Sequence, residues 1–585
     1  MPKDVRPDDA LPDRLTDILA RVTRPGRYVG GEFHLRRKPA ARPRIVLSYP
    51  DAYEVGIANP GLQILYSMVN DGTSAAAERA YCPWPDMAGL MRERRLPLWT
   101  LETFSPVREA DAWGFTLQHE LTYTNVLEML DLAGVPLLAE ERGEDDPIVL
   151  GGGPCTANPL PMARFFDAFF VGEIEGRMAE IVAALGAPTR ARRRDDLGRV
   201  PGVWLPHGNG AGARRQVFTG FAASRPSTEP LVPLLAAVHD RVTVEVMRGC
   251  SAGCRFCQAG GWYRPVRERP AGVVVESAVE ALRRTGCDEV SLVSLSSCDY
   301  SGIEAAVKGI RAAAPEVRVS LPSLRVDSAA VTLRGLGGDQ RGTVTLAPEA
   351  GSQRLRDAVN KRIADEQFEE AVAAVFAAGF SGVKLYFMIG LPGEAEADVA
   401  AIADMAALAA RRAREAGGRA RVGVSVSTFV PKPQTPFEAE AFVGERQVAQ
   451  RQAVLRARLP RGVKAAFHDL GRSLVEATLA SGDRESGDLV EAAWRAGARF
   501  DGWSEGFDLA AWRRAAEATG VELGGSAWDG AGDPPWRVID GLIDPAFLAE
   551  ESRRAGRGEV TGDCRSEECP GCGVCRDDIA MELAP

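Results

Sequence analysis

Apolar positions in this chain fall into two stretches of strand-and-helix alternation separated by a polar segment. Between 41 and 186, short apolar runs at 44–50, 112–117, 147–150 and 165–171 alternate with helix-spaced segments at 62–69, 119–132 and 173–185. Short apolar runs bounded by Gly and Pro read as buried strands, and their alternation with helices predicts a parallel α/β sheet. The run 147–150 leads straight into Gly151-Gly152-Gly153-Pro154, the kind of strand end where such sheets bind ligands. Residues 1–40 read as a polar arm with a short helix at 11–21. Residues 187–240 are rich in Arg, Gly and Pro, and 203–206 with 215–218 around a Gly-rich turn predict a hairpin linker.

A second alternation starts at Val242. Strand candidates are 242–247, 289–295, 317–321, 343–347, 382–389 and 422–430, with helices fitting between them at 274–284, 303–313, 366–378 and 396–415. Six such units are fewer than the eight of a closed barrel, so a six-stranded partial barrel over 241–440 is expected; an open doubly wound sheet fits the same spacing. Beyond 440 strands nearly vanish. Helical runs at 445–459, 472–481, 489–496 and 509–518 predict a helical domain over 441–550, then a Cys-rich tail at 551–585. The expected fold class is α/β: a Rossmann-like N-terminal domain, a (βα)6 partial barrel, a small helical domain and the tail.

Composition narrows the functional classes. With 45% hydrophobic and 26% charged residues, the 585-residue chain is ordinary globular material. No window approaches the ~18 uncharged apolar residues of a membrane span, and the N-terminus has no apolar signal core. A soluble cytoplasmic protein with no membrane partner is expected. The net charge of −10 argues against a dedicated nucleic-acid coat. Only Lys3, Lys38, Lys308, Lys361, Lys384, Lys432 and Lys464 are lysines among the 70 basic residues, so Arg abundance carries little functional weight. The Arg-rich helices 411–421 and 446–461 could contact the phosphates of an RNA substrate; solvated faces explain them equally well.

The eleven cysteines change the picture. Cys82, Cys155, Cys287 and Cys298 stand alone, whereas Cys250, Cys254 and Cys257 form one tight group and Cys564, Cys569, Cys572 and Cys575 another. Such clustering in a large chain reads as metal or redox chemistry rather than a disulfide framework. The first group, Arg248-Gly-Cys250-Ser-Ala-Gly-Cys254-Arg-Phe-Cys257, follows a strand and so sits where a barrel places its active site. Structural zinc wants four ligands; three thiolates leave one iron of a [4Fe–4S] cube open to a ligand. Gly249 and Gly253 let the backbone wrap such a cluster, and Phe256 can screen one face. A zinc site completed by a distant Cys is the alternative.

This Cys-x3-Cys-x2-Cys triplet after a first barrel strand resembles the signature of the radical SAM superfamily. The resemblance covers about 240–440 and implies a (βα)6 partial barrel binding a [4Fe–4S] cluster and S-adenosylmethionine. Glu349-Ala-Gly351-Ser352 is similar to the strand-end motif that holds the cofactor's methionine and ribose. Tyr386-Phe-Met-Ile-Gly390-Leu-Pro-Gly393 looks like the fifth-strand motif near adenine, and Ser427-Thr-Phe-Val430-Pro431-Lys432 like the sixth-strand end of methylthiotransferase-like relatives. The resemblance thus implies Phe256, Ser296, Glu349, Ser352, Gly390 and Val430 as cofactor contacts. The second strand ends Ser294-Leu-Ser296-Ser-Cys298, where many relatives have Gly-Gly-Glu. Lys384, Lys432 and Cys298, near strand ends, are candidate catalytic or substrate residues.

The segments Pro50–Gln63 and Gly151–Pro159 look like the cobalamin-binding-type domain that precedes many such barrels, with Gly152, Gly153 and Asn158 as a corrinoid-like pocket. None of the five histidines lies in the Asp-x-His-x-x-Gly pattern that supplies a cobalt ligand. Two readings stay open: a bound cobalamin without that His, or a cofactor-free module. The tail quartet could hold zinc or a second iron–sulfur cluster.

The expected activity is reductive cleavage of S-adenosylmethionine, with methyl or methylthio transfer to an unactivated carbon leading. Hydrogen abstraction by a 5′-deoxyadenosyl radical without cobalamin is the alternative. The resemblance also implies an electron donor such as flavodoxin or ferredoxin. A non-catalytic zinc-binding interaction module is the reading from a different class.

Overall fold

Strand β1 (Arg44–Tyr49) is buried along nearly its whole length, as a central strand covered on both faces must be. It belongs to a sheet with β2 (Ala76–Tyr81), β3 (Ala112–Thr116), β4 (Ile148–Gly152), β5 (Ala168–Phe170) and β6 (Val203–Trp204), in the order β2-β1-β3-β4-β5-β6. Every pairing is parallel except β5 with β6. The structure is a computed structural model that describes residues 11–584 apart from 209, 239, 322–324, 327–341, 418 and 419.

The apolar pattern did not mark β2, because Glu78 and Arg79 stand in its middle. Both are buried. Arg79 lies 2.9 Å from Glu32 and 2.6 Å from Glu102, and the Thr100 hydroxyl donates to Glu78 at 2.6 Å. Buried charge is tolerated only when paired in this way.

After β7 (Ala213–Arg214), the chain enters its second half. Here β8 (Val242–Glu245), an antiparallel ribbon of β9 (Met247–Arg248) and β10 (Arg267–Glu268), then β11 (Glu289–Val293) and β12 (Arg318–Ser320) follow. Strands β8, β11 and β12 form one parallel sheet. Strands β13 (Thr343–Glu349), β14 (Gly382–Ile389), β15 (Arg421–Thr428) and β16 (Lys464–Phe467) form a second. All six expected barrel strands are present. The seventh, β16, lies inside the expected helical domain, between its helices at 445–459 and 472–481, since Lys464-Ala-Ala-Phe467 carries no alternating pattern of its own.

Alternation along these strands separates two faces. Val383, Leu385, Phe387 and Ile389, with Val422, Val424 and Val426, pack under helices Asp365–Ala377 and Glu396–Glu415. The concave face carries Lys384, Tyr386, Met388, Gly423, Ser425 and Ser427, all less buried than their neighbours. A closed barrel fills this space with branched aliphatics; here it is polar and open, and Tyr386 is 37% exposed.

The expected hairpin at 203–218 does not form. β6 extends the first sheet, whereas β7 pairs in parallel with β17 (Ile539–Asp540). Arg215 is the cause: it is buried and donates to Gly541 O and Arg264 O, each at 3.1 Å. Helices Leu470–Ala480, Ser486–Arg495 and Leu509–Thr519 occur as expected but make no separate core. Val475, Leu479, Leu489, Trp494 and Trp512 share one apolar cluster with Leu121, Val126, Leu130 and Phe165 of the N-terminal half. Helix Pro545–Arg557 crosses the expected boundary at 550 and leads into the tail.

On the Arg-rich helices, Arg412 pairs with Glu369 and Glu415, Arg451 with Glu394, and Arg456 stacks over Phe467. Among the described residues, no helix is long and apolar enough to cross a membrane.

Candidate active site

The three clustered cysteines follow β8 and β9 on a loop whose shape depends on two glycines. Gly249 has φ 89°, and a Cβ there would lie 2.3 Å from Pro265 O and 2.6 Å from Tyr263 O. Gly253 has φ 71°, and beside it the Asn360 amide donates to Ala252 O at 3.3 Å and Gly253 O at 3.2 Å. Cys257 caps helix Gln258–Trp262, its Sγ accepting from Gly260 N at 3.3 Å. Arg255 is wholly buried and anchors the loop, donating to Glu551 at 3.0 Å and Ala358 O at 2.9 Å. Gly249→Ala is expected to cost the reconstituted protein most of the iron bound at this loop; iron loading equal to the wild type would refute the requirement.

The donor set, three thiols close together in the chain, fits a cluster with one iron left open. Burial and the neighbouring Cys254 thiol push Cys250 and Cys257 up, Cys257 to about 12; thiols so crowded ionise only with a cation to bind. Among the described residues, the one group of three potential ligand atoms lying within 4.8 Å of one another is His119, Glu120 and Glu476.

Around this loop lie groups suited to a polar cofactor. Ser296, at the end of β11, is buried, and its hydroxyl has no partner among the described residues. A buried orphan costs about 1–3 kcal/mol, so the hydroxyl marks where a polar ligand atom would be accepted. Glu349, at the end of β13, holds φ 71°, a strained conformation for a non-glycine residue. Its carboxylate, pushed up by burial, lies 3.3 Å from Lys361 Nζ. Lys361 also stands in the field of Cys254 and Cys257; nothing in the sequence signals this, because no spacing rule links 361 to the triplet. Phe256 packs against the apolar cluster that includes Leu391, Phe429 and Phe437, with half-buried Val430 next to Phe429 in the chain.

Two expected contacts are spent on the fold. Ser352 caps helix Gln353–Ala358, accepting from Leu355 N at 3.2 Å, and donates to Asp398. Gly390 turns the chain at φ 86° and donates to Glu394 at 2.7 Å. Lys384 faces the lumen, its Nζ 3.0 Å from the Tyr386 hydroxyl. Cys298 lines a cavity of about 800 Å³ with Asp299, Lys308, Arg325, Asp563 and Arg565.

Lys432 stands at a junction of three segments. Its ammonium lies 2.8 Å from Glu120 and 2.9 Å from Glu476, and His119 Nε2 lies 3.5 Å from Glu476. His119 Nδ1 accepts from Leu121 N at 3.2 Å, which leaves Nε2 to donate. Burial opposes the charge on Lys432, but Glu120 and Glu476 outweigh it and hold the ammonium above its ordinary value. The ammonium occupies the space that would make the two carboxylates and His119 a metal site.

The corrinoid-like pocket residues meet this chain rather than a cradle. Both hydrogens of the Asn158 amide go to the helical segment, at 3.0 Å to Ala480 O and 2.7 Å to Gly482 O. A Cβ at Gly153 would lie 2.7 Å from Leu117 O, so that glycine serves a close backbone approach. Along the same sheet edge, Trp503 donates to Asp51 at 2.7 Å, Asn125 binds Pro50 O and Phe500 N, and helix Gln258–Trp262 packs on the turn Pro154–Ala157. These residues do not fit a corrin ring at that edge.

Residues 61–206 match the family described as radical SAM proteins, N-terminal, and residues 244–406 match the radical SAM superfamily. An uncharacterized protein of Methanocaldococcus jannaschii is 25% identical over 451 residues, 75% of this chain and 88% of its own length. Among solved structures, the radical S-adenosylmethionine methyltransferase TsrM of Kitasatospora setae, with cobalamin and a [4Fe–4S] cluster bound, is 15% identical at a TM-score of 0.46, covering 66% of this chain and 72% of that one. The cobalamin-dependent S-adenosylmethionine radical enzyme OxsB is 12% identical at a TM-score of 0.48, covering 78% of this chain and 68% of that one.

Proposed function

This chain is a radical SAM superfamily enzyme, and from that premise we propose that it generates a 5′-deoxyadenosyl radical to abstract hydrogen from a polar substrate held in the barrel lumen. A [4Fe–4S] cluster and S-adenosylmethionine are its cofactors, and it needs a reductant. The carrying observation is three thiols at the mouth of a half-barrel whose concave face is polar and open.

Cys250, Cys254 and Cys257 would hold the cluster, which would supply there the one-electron reduction that cleaving S-adenosylmethionine requires. The residues of the chain do the positioning. Ser296 offers a desolvated hydroxyl to a polar end of the cofactor. Glu349 and Lys361 together present one acceptor and one cation beside the thiols, and Phe256 excludes water from one side. Lys384 and Tyr386 present a cation and a phenol to the substrate, and either can orient an acceptor group. A flavodoxin or ferredoxin serves as reductant in this reading.

Methyl or methylthio transfer with cobalamin, the leading expectation from the sequence, is the second outcome of the same experiment. Anaerobically reconstituted protein, reduced and given S-adenosylmethionine, is expected to release 5′-deoxyadenosine without added corrinoid and to retain no hydroxocobalamin on dialysis. Cleavage that requires cobalamin would overturn the hydrogen-abstraction reading, and no cleavage under either condition would overturn both.

A further inference from the structure

The Cys-rich tail is no loose appendage. Arg255 from the triplet loop donates to Glu559 O at 2.8 Å and lies 3.3 Å from the Thr561 hydroxyl. Asn360, whose amide holds the same loop, accepts from Thr561 N at 2.8 Å. Arg565 pairs with Glu268 at 2.6 Å, and beyond the last cysteine Glu582 exchanges backbone bonds with Val266 and Glu268. Six separate contacts therefore clamp the tail around the quartet to the triplet loop and the segments beside it.

Between the two groups lies Arg264, 7% exposed. One end of its guanidinium donates to Ser251 O at 3.3 Å, inside the triplet loop. Its other neighbours are thiols: Cys572 in direct contact, with Cys564 and Cys250 in its field. Its Nε is buried and has no partner among the described residues. Among those residues no carboxylate side chain is bonded to this arginine; its guanidinium joins the triplet loop, at Ser251 O, to the tail, at Cys572. Around Cys572, Gly571 and Gly573 take φ 77° and 84°, which lets Cys569, Cys572 and Cys575 wrap a common centre.

We propose that Cys564, Cys569, Cys572 and Cys575 bind a second iron–sulfur cluster, and that an electron from a ferredoxin- or flavodoxin-class donor enters there and reaches the triplet cluster past Arg264. The balance is one electron in and one out. The donor is oxidised by one electron, the tail cluster is reduced and reoxidised, and the electron ends at the triplet, where S-adenosylmethionine consumes it. Arg264 is a positioning residue: its guanidinium bonds the backbone of the triplet loop and touches Cys572 of the tail, and its positive charge raises the potential of a cluster beside it. The proposal rests on the radical reading above only for the electron's destination.

The metal is tested first, on reconstituted full-length protein carrying Cys250→Ala, Cys254→Ala and Cys257→Ala. This protein is expected to keep about four irons per chain and a reducible iron–sulfur spectrum. Zinc in place of iron, or no bound metal, would overturn the second cluster. The relay is tested with Arg264→Gln, a single change that leaves all seven cysteines in place. Two readouts follow: the reduction midpoint of the tail signal in the triplet-lacking background, and the ratio of flavodoxin-driven to dithionite-driven cleavage in the triplet-bearing protein. The midpoint is expected to shift to lower potential and the ratio to fall at least about tenfold; an unchanged ratio would overturn the relay. Absence of dithionite-driven cleavage in the wild type would instead strike the radical reading and leave the tail's iron count standing.

Discussion

Replacing Cys250, Cys254 and Cys257 together by alanine is expected to bring reductive S-adenosylmethionine cleavage down to the uncatalysed background while the fold survives. Both halves follow from the loop's construction. Among the described residues, these thiols are the groups at this site able to hold a cluster with one iron open, so nothing remains to deliver the electron. The loop itself is held by other residues: Arg255 to Glu551 and Ala358, and Asn360 to Ala252 and Gly253. Losing three small, half-buried side chains leaves those bonds in place, so the thermal midpoint of the metal-free variant should stay within a few degrees of the metal-free wild type. Cleavage is measured as 5′-deoxyadenosine formed anaerobically with dithionite. Product above background in the triple variant would refute the assignment of the cluster to these residues, and a collapsed midpoint would show that the thiols serve the fold instead.

What the sequence made legible follows from how local each signal is. The triplet and the tail quartet stood out because each repeats one residue type at short spacing. The barrel strands were readable because Val and Leu alternate with Ser, Thr and Lys along β14 and β15. β2 was not, because Glu78 and Arg79 look like surface until Glu32, Glu102 and Thr100 are seen around them. The helical segment read correctly as helices and wrongly as a separate domain, since an amphipathic face says that something covers it and not what. That segment also covers the sheet edge where Gly152, Gly153 and Asn158 suggested a corrinoid pocket; a Gly-rich strand end looks the same whether a ligand or a helix sits on it. Cofactor groups divided along the same line. Ser296 is an orphan waiting for a partner, whereas Ser352 has a cap and Asp398 to satisfy it.

Lys432 is the sharpest example, singled out as a substrate residue and found pinning three segments together. Lys432→Met is expected to lower stability at pH 7.5 by about 3–5 kcal/mol, the cost of leaving buried charge without its partner. Glu120 and Glu476 would then face each other with only His119 to balance them. The pH dependence gives the stronger test. In the wild type, burial would raise Glu476, but Lys432 and His119 outweigh it and hold its carboxyl below the usual range. A depressed carboxyl contributes stability above its unfolded value, near 4.3, and loses it as pH falls through the folded value. Burial opposes the charge on His119 too, but Glu476 wins and raises it. That contribution is complete below about 6.5, the unfolded value, and fades as pH rises through the folded one. Wild-type stability from this cluster should therefore peak between about pH 5 and 6.5. Without the ammonium the sign for Glu476 reverses: repulsion from Glu120 raises its carboxyl, and a proton taken up on acidification relieves the pair. Urea unfolding of Lys432→Met and wild type at pH 5 and 7.5 should show a deficit at least about twofold smaller at pH 5. An equal deficit at both values would mean that Lys432 acts through packing, and no deficit at either would return it to a role in substrate binding.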